Sequence, residues 1–283
     1  MKKNTFDTVV NKYIKYSIDD VKYLNEFYNN PSVSMKDYYQ WRTASMTCFR
    51  MHFFSFWYDP NKDNFEGIIN AFTMAYLAQI MYLFDKEKKF FQNLAVGVPL
   101  FLAILSFGKE KEIDLMFQAI INLINDEIKK GRTIYHQDKT LQEAFILYDL
   151  YNNKKEHHIW QPYVNKPLDY NYQNAMNVIL SDNENEVNNA LADMMKYHRK
   201  KAHTESFATN EFYSIEWRVF PIEIIVLIRY RYLKGKSINF INHEVLSKFI
   251  PYLQQKEYHL LPILEKARND IYKLFLTNQH LTE

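Results

Sequence analysis

The chain has 283 residues, 47% hydrophobic and 17% aromatic, with only five glycines and eight prolines. That composition can fill a large core, but it argues against all-β sandwiches and nucleotide-binding α/β folds, which use glycine for turns and phosphate loops. A formal charge of +2 gives no basic excess for nucleic acid. One cysteine, Cys48, excludes an internal disulfide and a cysteine-based zinc site, and reads as a small core hydrophobe.

The N-terminal stretch MKKNTFDTVVNKYIKYS lacks the apolar run of a signal peptide. Together with a mean hydropathy of -0.41, this places the protein in the cytoplasm as an expectation. Residues 1–36 read as an N-terminal helical arm, polar and rich in tyrosine, with a break at Asn29-Asn30-Pro31. Tyr38, Trp41, Ser45, Phe49, Phe53 and Phe56 then step by three or four, as one face of a helix does. Asp59-Pro60-Asn61 reads as a turn, and Asn64 as the cap of a helix running through Ile68, Phe72 and Ala75 to Leu83.

The most apolar segment is FFQNLAVGVPLFLAILSF, residues 90–107. Gln92, Asn93, Gly97 and Pro99 interrupt it, so its apolar part falls short of the roughly 20 residues a membrane span needs. The expectation is a buried helix broken near Gly97 and Pro99. After Gly108-Lys109 comes a helix with Ile113, Phe117, Ile120, Ile124 and Ile128 on its face, and Gly131 at the C-cap.

Residues 140–151 read as a shorter helix. Residues 154–167, KKEHHIWQPYVNKP, contain two prolines and no periodicity, which predicts a loop. A helix is expected over 170–180, followed by an S-x-x-E capping box at Ser181 and Glu184. The helix so opened carries Val187, Ala190, Leu191, Met194 and His198 on one face. Glu186, Asn189, Asp193, Lys196 and Lys200 lie on the other.

The stretch EWRVFPIEIIVLIRYRYLKG, residues 216–235, alternates near its end like a strand. Its punctuation favours a helix: Pro221 at the first helical position, Glu223 in the first turn, Arg229, Arg231 and Lys234 toward the end, Gly235 at C′. Residues 222–228 are apolar except for Glu223, so this helix is expected to be buried on most sides. The fold class is all-α, a multi-helix array of antiparallel helical hairpins.

Catalytic signatures do not emerge. His157 and His158 are neighbours without a carboxylate at ligand spacing other than Glu156, and His198 and His203 are five apart. His243-Glu244 opens like a zincin motif, but HEVLS lacks the second histidine. SDNENE, residues 181–186, has the composition of a calcium loop without its central glycine, and capping explains it better. The basic run KYHRKK, residues 196–201, could touch phosphate, but reads as the cationic last turn of a helix. Nucleophile-elbow, Walker and dinucleotide motifs are missing. The reading is a binding protein and not an enzyme, with no metal and no cofactor.

From Asp182 onward the chain resembles the immunity protein 49 family of bacterial polymorphic toxin systems. DNENEVNNALADMMKYHRK matches an aspartate before a helix that ends in a histidine, on Asp182 and His198. EWRVFPIEIIVLI matches a tryptophan before a proline-containing core helix, on Trp217 and Pro221, and FIPYL, residues 249–253, matches a terminal aromatic–proline element. ASMTCFRMHFFSFW and GVPLFLAILSFGKEKEIDLMF fit the family's helical order upstream. The resemblance covers 37–253 as a helical immunity-type domain. The arm at 1–36 and the helical extension at 254–283 are departures, the whole being one globular unit.

The resemblance implies a cytoplasmic protein that binds and neutralises a cognate toxin domain, protecting the producing cell and its kin, with no direct contact to nucleic acid or membrane. The alternative is a helical-repeat-like adaptor that binds protein partners without neutralising a toxin. For a toxin contact, aromatic and charged residues on exposed loops are the natural anchors. Those are His157, His158, Trp160 and Tyr163 in the irregular stretch. The acidic turn Asp182, Glu184 and Glu186 would suit a basic toxin such as a nuclease.

Overall fold

Scarce glycine and 3.6-residue periodicity produce a succession of helices. The computed structural model describes residues 6–31, 33, 34, 37–84, 94–131, 139–164, 167–202, 212 and 214–279, and among them there is no strand. In chain order the helices are α1 (Phe6–Tyr13), α2 (Ile18–Asn29), α3 (Tyr38–Tyr58), α4 (Lys62–Phe84), α5 (Leu94–Phe107), α6 (Glu110–Lys129), α7 (Lys139–Asn152) and α8 (His157–Trp160). They continue with α9 (Tyr170–Val178), α10 (Glu184–Ala202), α11 (Ile215–Val219), α12 (Ile222–Leu233), α13 (Ile250–Leu253) and α14 (Pro262–Gln279). None of the described helices is long and apolar enough to cross a membrane. The chain divides into two compact units: Met1–Tyr13 with Gln92–Lys256, and Ile14–Phe91 with Glu257–Glu283.

The second unit is organised by the α3–α4 hairpin. The expected α3 face is buried throughout, and its rings meet those of α4 in antiparallel register. Tyr38 lies edge-on to Tyr82 at 5.5 Å, and Phe49 against Phe72 at 5.8 Å and Phe56 against Phe65 at 5.6 Å are tilted. At Gly67 the two helices pack so tightly that an added Cβ would stand 2.2 Å from the His52 ring. Asn61, not Asn64, caps α4: its Oδ1 accepts the Asn64 N–H at 2.9 Å. On α2, Phe27 packs edge-on against Trp41 at 4.9 Å, and the Tyr28 hydroxyl donates to Cys48 Sγ at 3.4 Å. Cys48 is a core residue, as expected, and burial pushes its thiol up to about 12. On α14, Tyr272 shares a 2.9 Å hydroxyl–hydroxyl hydrogen bond with Tyr76 of α4.

The first unit is organised by α12, whose residues Ile222–Arg231 are all buried. Gly235 ends the helix with φ +78°, as its C′ position requires. Pro221 sits one residue earlier than expected, as the N-cap, because its ψ of 69° is not helical. Its carbonyl accepts the N–H groups of Ile224 and Ile225, both at 3.0 Å. Two further expectations change. α5 runs unbroken through Pro99. At Gly97 α6 approaches so closely that a Cβ would meet Ile120 and Leu123 at 3.1 and 3.3 Å, and this packing holds the helix across the missing N–H. Residues 90–93 of the expected segment, and His203, lie outside the described residues. Within 154–167, the expected loop contains α8 and a 3₁₀ turn at Gln161–Tyr163.

Candidate functional site

The acidic turn before α10 is built from its backbone outward. Asn183 caps the helix by accepting the Glu186 N–H at 3.3 Å, two residues later than the expected Ser181 cap. Ser181 Oγ instead accepts from the Asn183 N–H at 3.1 Å and donates to Glu186 Oε2 at 2.9 Å. Beneath the turn lies Arg231 of α12, buried, donating from Nη1 to the carbonyls of Ile179 at 2.6 Å and Ser181 at 2.8 Å. Its Nε donates to the Ser237 carbonyl at 2.7 Å. Lys236, just past α12, reaches Asp182 Oδ1 at 2.6 Å.

Asp182 is nonetheless 89% exposed along its side chain, and Glu184 and Glu186 are exposed. The hydrogen bond and charge of Lys236 hold the Asp182 carboxyl below its usual value. Burial lowers the Arg231 guanidinium from its usual value, while Asp182 and Glu184 act in the opposite direction. The three acids therefore form one solvent-facing edge on a fixed backbone. Its reach is electrostatic: it can pair with cations on a partner.

The four other candidates sit on α8 and the turn after it, and they divide. His157 and His158 are exposed with rings 6.2 Å apart and perpendicular, and His158 Nδ1 lies 3.0 Å from the Lys155 carbonyl. Trp160 is not an exposed loop anchor: it is buried, stacked on Phe145 at 5.5 Å, and its Nε1–H donates to Asp149 Oδ2 at 3.0 Å. One turn of helix after Glu156 rotates the indole inward, where its area and its N–H both find partners. Tyr163 is half-buried and donates to Asn125 Oδ1 at 2.9 Å. Trp160 holds α8 against α7 and Tyr163 ties the turn after it to α6, whereas the acidic turn is anchored to α12.

The core of the first unit also holds a buried polar cluster around His198. His198 of α10, fully buried, has Nδ1 at 2.7 Å from Glu223 Oε1 of α12 and Nε2 at 3.1 Å from the Arg218 carbonyl of α11. A carbonyl only accepts, so Nε2 carries a proton. Phe212 and Phe6 flank the imidazole at 4.6 and 6.1 Å. Glu223 Oε2 meets no hydrogen-bond donor among the described residues. Arg218 donates to the Ala202 carbonyl at the end of α10 (3.1 Å) and to Tyr13 Oη of α1 (2.8 Å). One imidazole thus ties three helices together, sealed from solvent. Arg229, also buried, donates to the carbonyls of Ser106 at 3.2 Å, Leu253 at 2.6 Å and Lys256 at 3.3 Å, close to the ends of α5 and α13.

A sequence signal for these groups exists. Glu223 is the polar exception in an apolar run, and His198 the polar exception on an apolar face. Among the described residues, no group of three or more His, Cys, Asp or Glu side chains is placed to hold a metal ion. Comparison with known proteins gives no match: no family model fits the sequence, no curated protein matches it, and no solved structure matches the fold.

Proposed function

We propose that this chain is an immunity protein that binds a cognate secreted toxin domain and blocks it. The observation that carries the reading is the acidic turn of Asp182, Glu184 and Glu186, exposed to solvent yet fixed from below by Arg231 and from the side by Lys236. A recognition surface gains from being set before its partner arrives, because little ordering remains to oppose binding. Three carboxylates on such an edge complement a basic surface, which a nuclease domain presents to its substrate. The resemblance of residues 37–253 to the immunity protein 49 family points the same way. Neutralisation would follow from covering the toxin's active site, or locking its shape, through an interface of about 800 Å² per partner. The protein would act in the cytoplasm of the producing cell.

The test is growth of a bacterium expressing the toxin domain encoded beside this chain, with and without the chain. Restored growth with co-elution of the two proteins supports neutralisation by binding. Restored growth without co-elution indicates an enzyme that reverses the damage. Failure to rescue sinks the immunity reading and leaves the adaptor.

A further inference from the structure

The basic run at the end of α10 belongs to a pocket that the immunity reading does not use. Ala192, Lys196 and Arg199 follow one another at spacings of four and three, which places them on one stripe of the helix. His243 faces this stripe from the segment after α12, and the four residues line a cleft of about 260 Å³. A helix end attracts cations for its own sake, but His243 belongs to a different element, so the dipole does not account for it.

The His243 segment is fixed rather than loosely draped. The Asn242 N–H donates to Asn188 Oδ1 of α10 at 3.1 Å, and the Asn188 amide donates back to the Phe240 carbonyl at 3.2 Å. The His243 N–H donates to Ser247 Oγ at 3.1 Å. His243 Nδ1 accepts the Val245 N–H at 3.2 Å, so in the neutral ring the proton sits on Nε2, which is then a donor. Beside the pocket, Glu244 forms a 3.5 Å ion pair with Arg199 while remaining 66% exposed. A carboxylate of the chain itself therefore already shows the chemistry that Arg199 accepts.

We infer that the Lys196–Arg199–His243 cleft binds a small phosphate dianion, either inorganic phosphate or the terminal monoester of a small molecule. The guanidinium supplies paired donors to two oxygens, Lys196 a point charge, and His243 Nε2 a directed hydrogen bond. The volume holds a phosphate group but falls below that of pockets that enclose a whole drug-sized ligand. In this arrangement Glu244 is the competitor that the dianion displaces. Burial and the Arg199 charge both lower the His243 pKa, against the charge of Glu244. A dianion in the cleft offsets the Arg199 charge with more negative charge than the single carboxylate of Glu244 that it displaces, and so raises it.

The experiment is a titration of the full chain with inorganic phosphate and, separately, with methyl phosphate, read from the His243 ring nuclei by NMR. Chloride at matched ionic strength is the control. Saturable shifts with a rise in the His243 pKa are expected. Binding should weaken at least about tenfold in Arg199→Ala, as for loss of a charged hydrogen bond, and also in Lys196→Ala, whose exposed site makes misfolding no explanation. Glu244→Gln should tighten it by up to about fivefold, by removing the competitor. Stronger binding of methyl phosphate assigns a monoester, and binding of inorganic phosphate alone assigns the ion. Shifts that match chloride, or that survive both alanine variants unchanged, overturn the proposal. The test does not involve the toxin, so its outcome is independent of the rescue experiment.

Discussion

The α3–α4 hairpin and the surroundings of α12 are both deeply buried, yet different forces hold them. The hairpin interlocks rings: Phe49, Phe53, Phe56 and Trp57 on α3 are all buried, with Phe65 and Phe72 facing them from α4. Around α12 the core contains charge: Glu223, Arg229 and Arg231 are buried on that one helix, and each has partners outside it. Ring packing spreads its energy over many small dispersion contacts, so a truncation costs what its cavity costs. Buried ions are all-or-none, since removing one partner leaves the other desolvated without compensation. The hairpin should therefore lose stability in proportion to the side-chain volume removed, and the α12 region according to which partner is left unpaired.

The largest effect is expected where one side chain serves several carbonyls. Arg229→Met keeps the volume but strands the carbonyls of Ser106, Leu253 and Lys256. It should cost about 5 kcal/mol in urea unfolding, with hydrogen exchange accelerated at the C-terminal ends of α5 and α13. A smaller loss would mean that water substitutes for the guanidinium. On the hairpin, Phe53→Ala opens a cavity between Phe49 and Trp57, which stack on it at 5.2 and 6.0 Å. The loss should be about 4 kcal/mol, with faster exchange confined to α3 and α4.

The comparison sharpens most at His198 and Glu223. Either single leucine substitution should cost about 3 kcal/mol, by leaving the other group buried without its partner. The double His198→Leu/Glu223→Leu variant should cost no more than one single, a coupling of about 3 kcal/mol or more. Additive losses in this cycle would show that the pair does not act as a unit. The smallest effect belongs to the surface. Lys236→Ala releases Asp182, whose depressed pKa should rise back toward the ordinary carboxylate value in an NMR titration. The sign is that of a lowered acid: the ion pair stabilises the fold above the unfolded-state pKa, and that contribution is lost as pH falls through the folded-state pKa. Lys236→Ala should therefore leave stability below that range untouched and lower it slightly near neutrality.

Why the sequence revealed one region better than the other follows from the same physics. The hairpin declares itself by period: Tyr38, Trp41, Ser45, Phe49, Phe53 and Phe56 are all buried where their spacing puts them. Both faces of α10 are equally legible, because burial of Val187 and exposure of Asp193 are decided by the helix alone. Gly131 and Gly235 mark their helix ends correctly, since a positive φ is a local demand. What periodicity cannot carry is the partner. Arg229 and Arg231 have the spacing of residues near a helix end, and only tertiary structure turns them inward onto carbonyls remote in sequence. Trp160 shows the converse: its proline-containing surroundings suggest a loop, but Asp149 and Phe145 on α7 provide an interior for it. The acidic turn was visible in composition, whereas its rigidity depends on Arg231 and Lys236, about fifty residues further on.

That rigidity underlies the functional account, and one affinity measurement tests it. The chain and its neighbouring toxin domain would be titrated by calorimetry, beside a variant carrying Asp182→Lys, Glu184→Lys and Glu186→Lys whose circular dichroism matches that of the parent. The account predicts tight one-to-one binding by the parent and a loss on the order of 100-fold in the variant, the loss shrinking as salt rises. Equal affinity of parent and variant would remove the acidic turn from the interface, and no binding by the parent would contradict the immunity function itself.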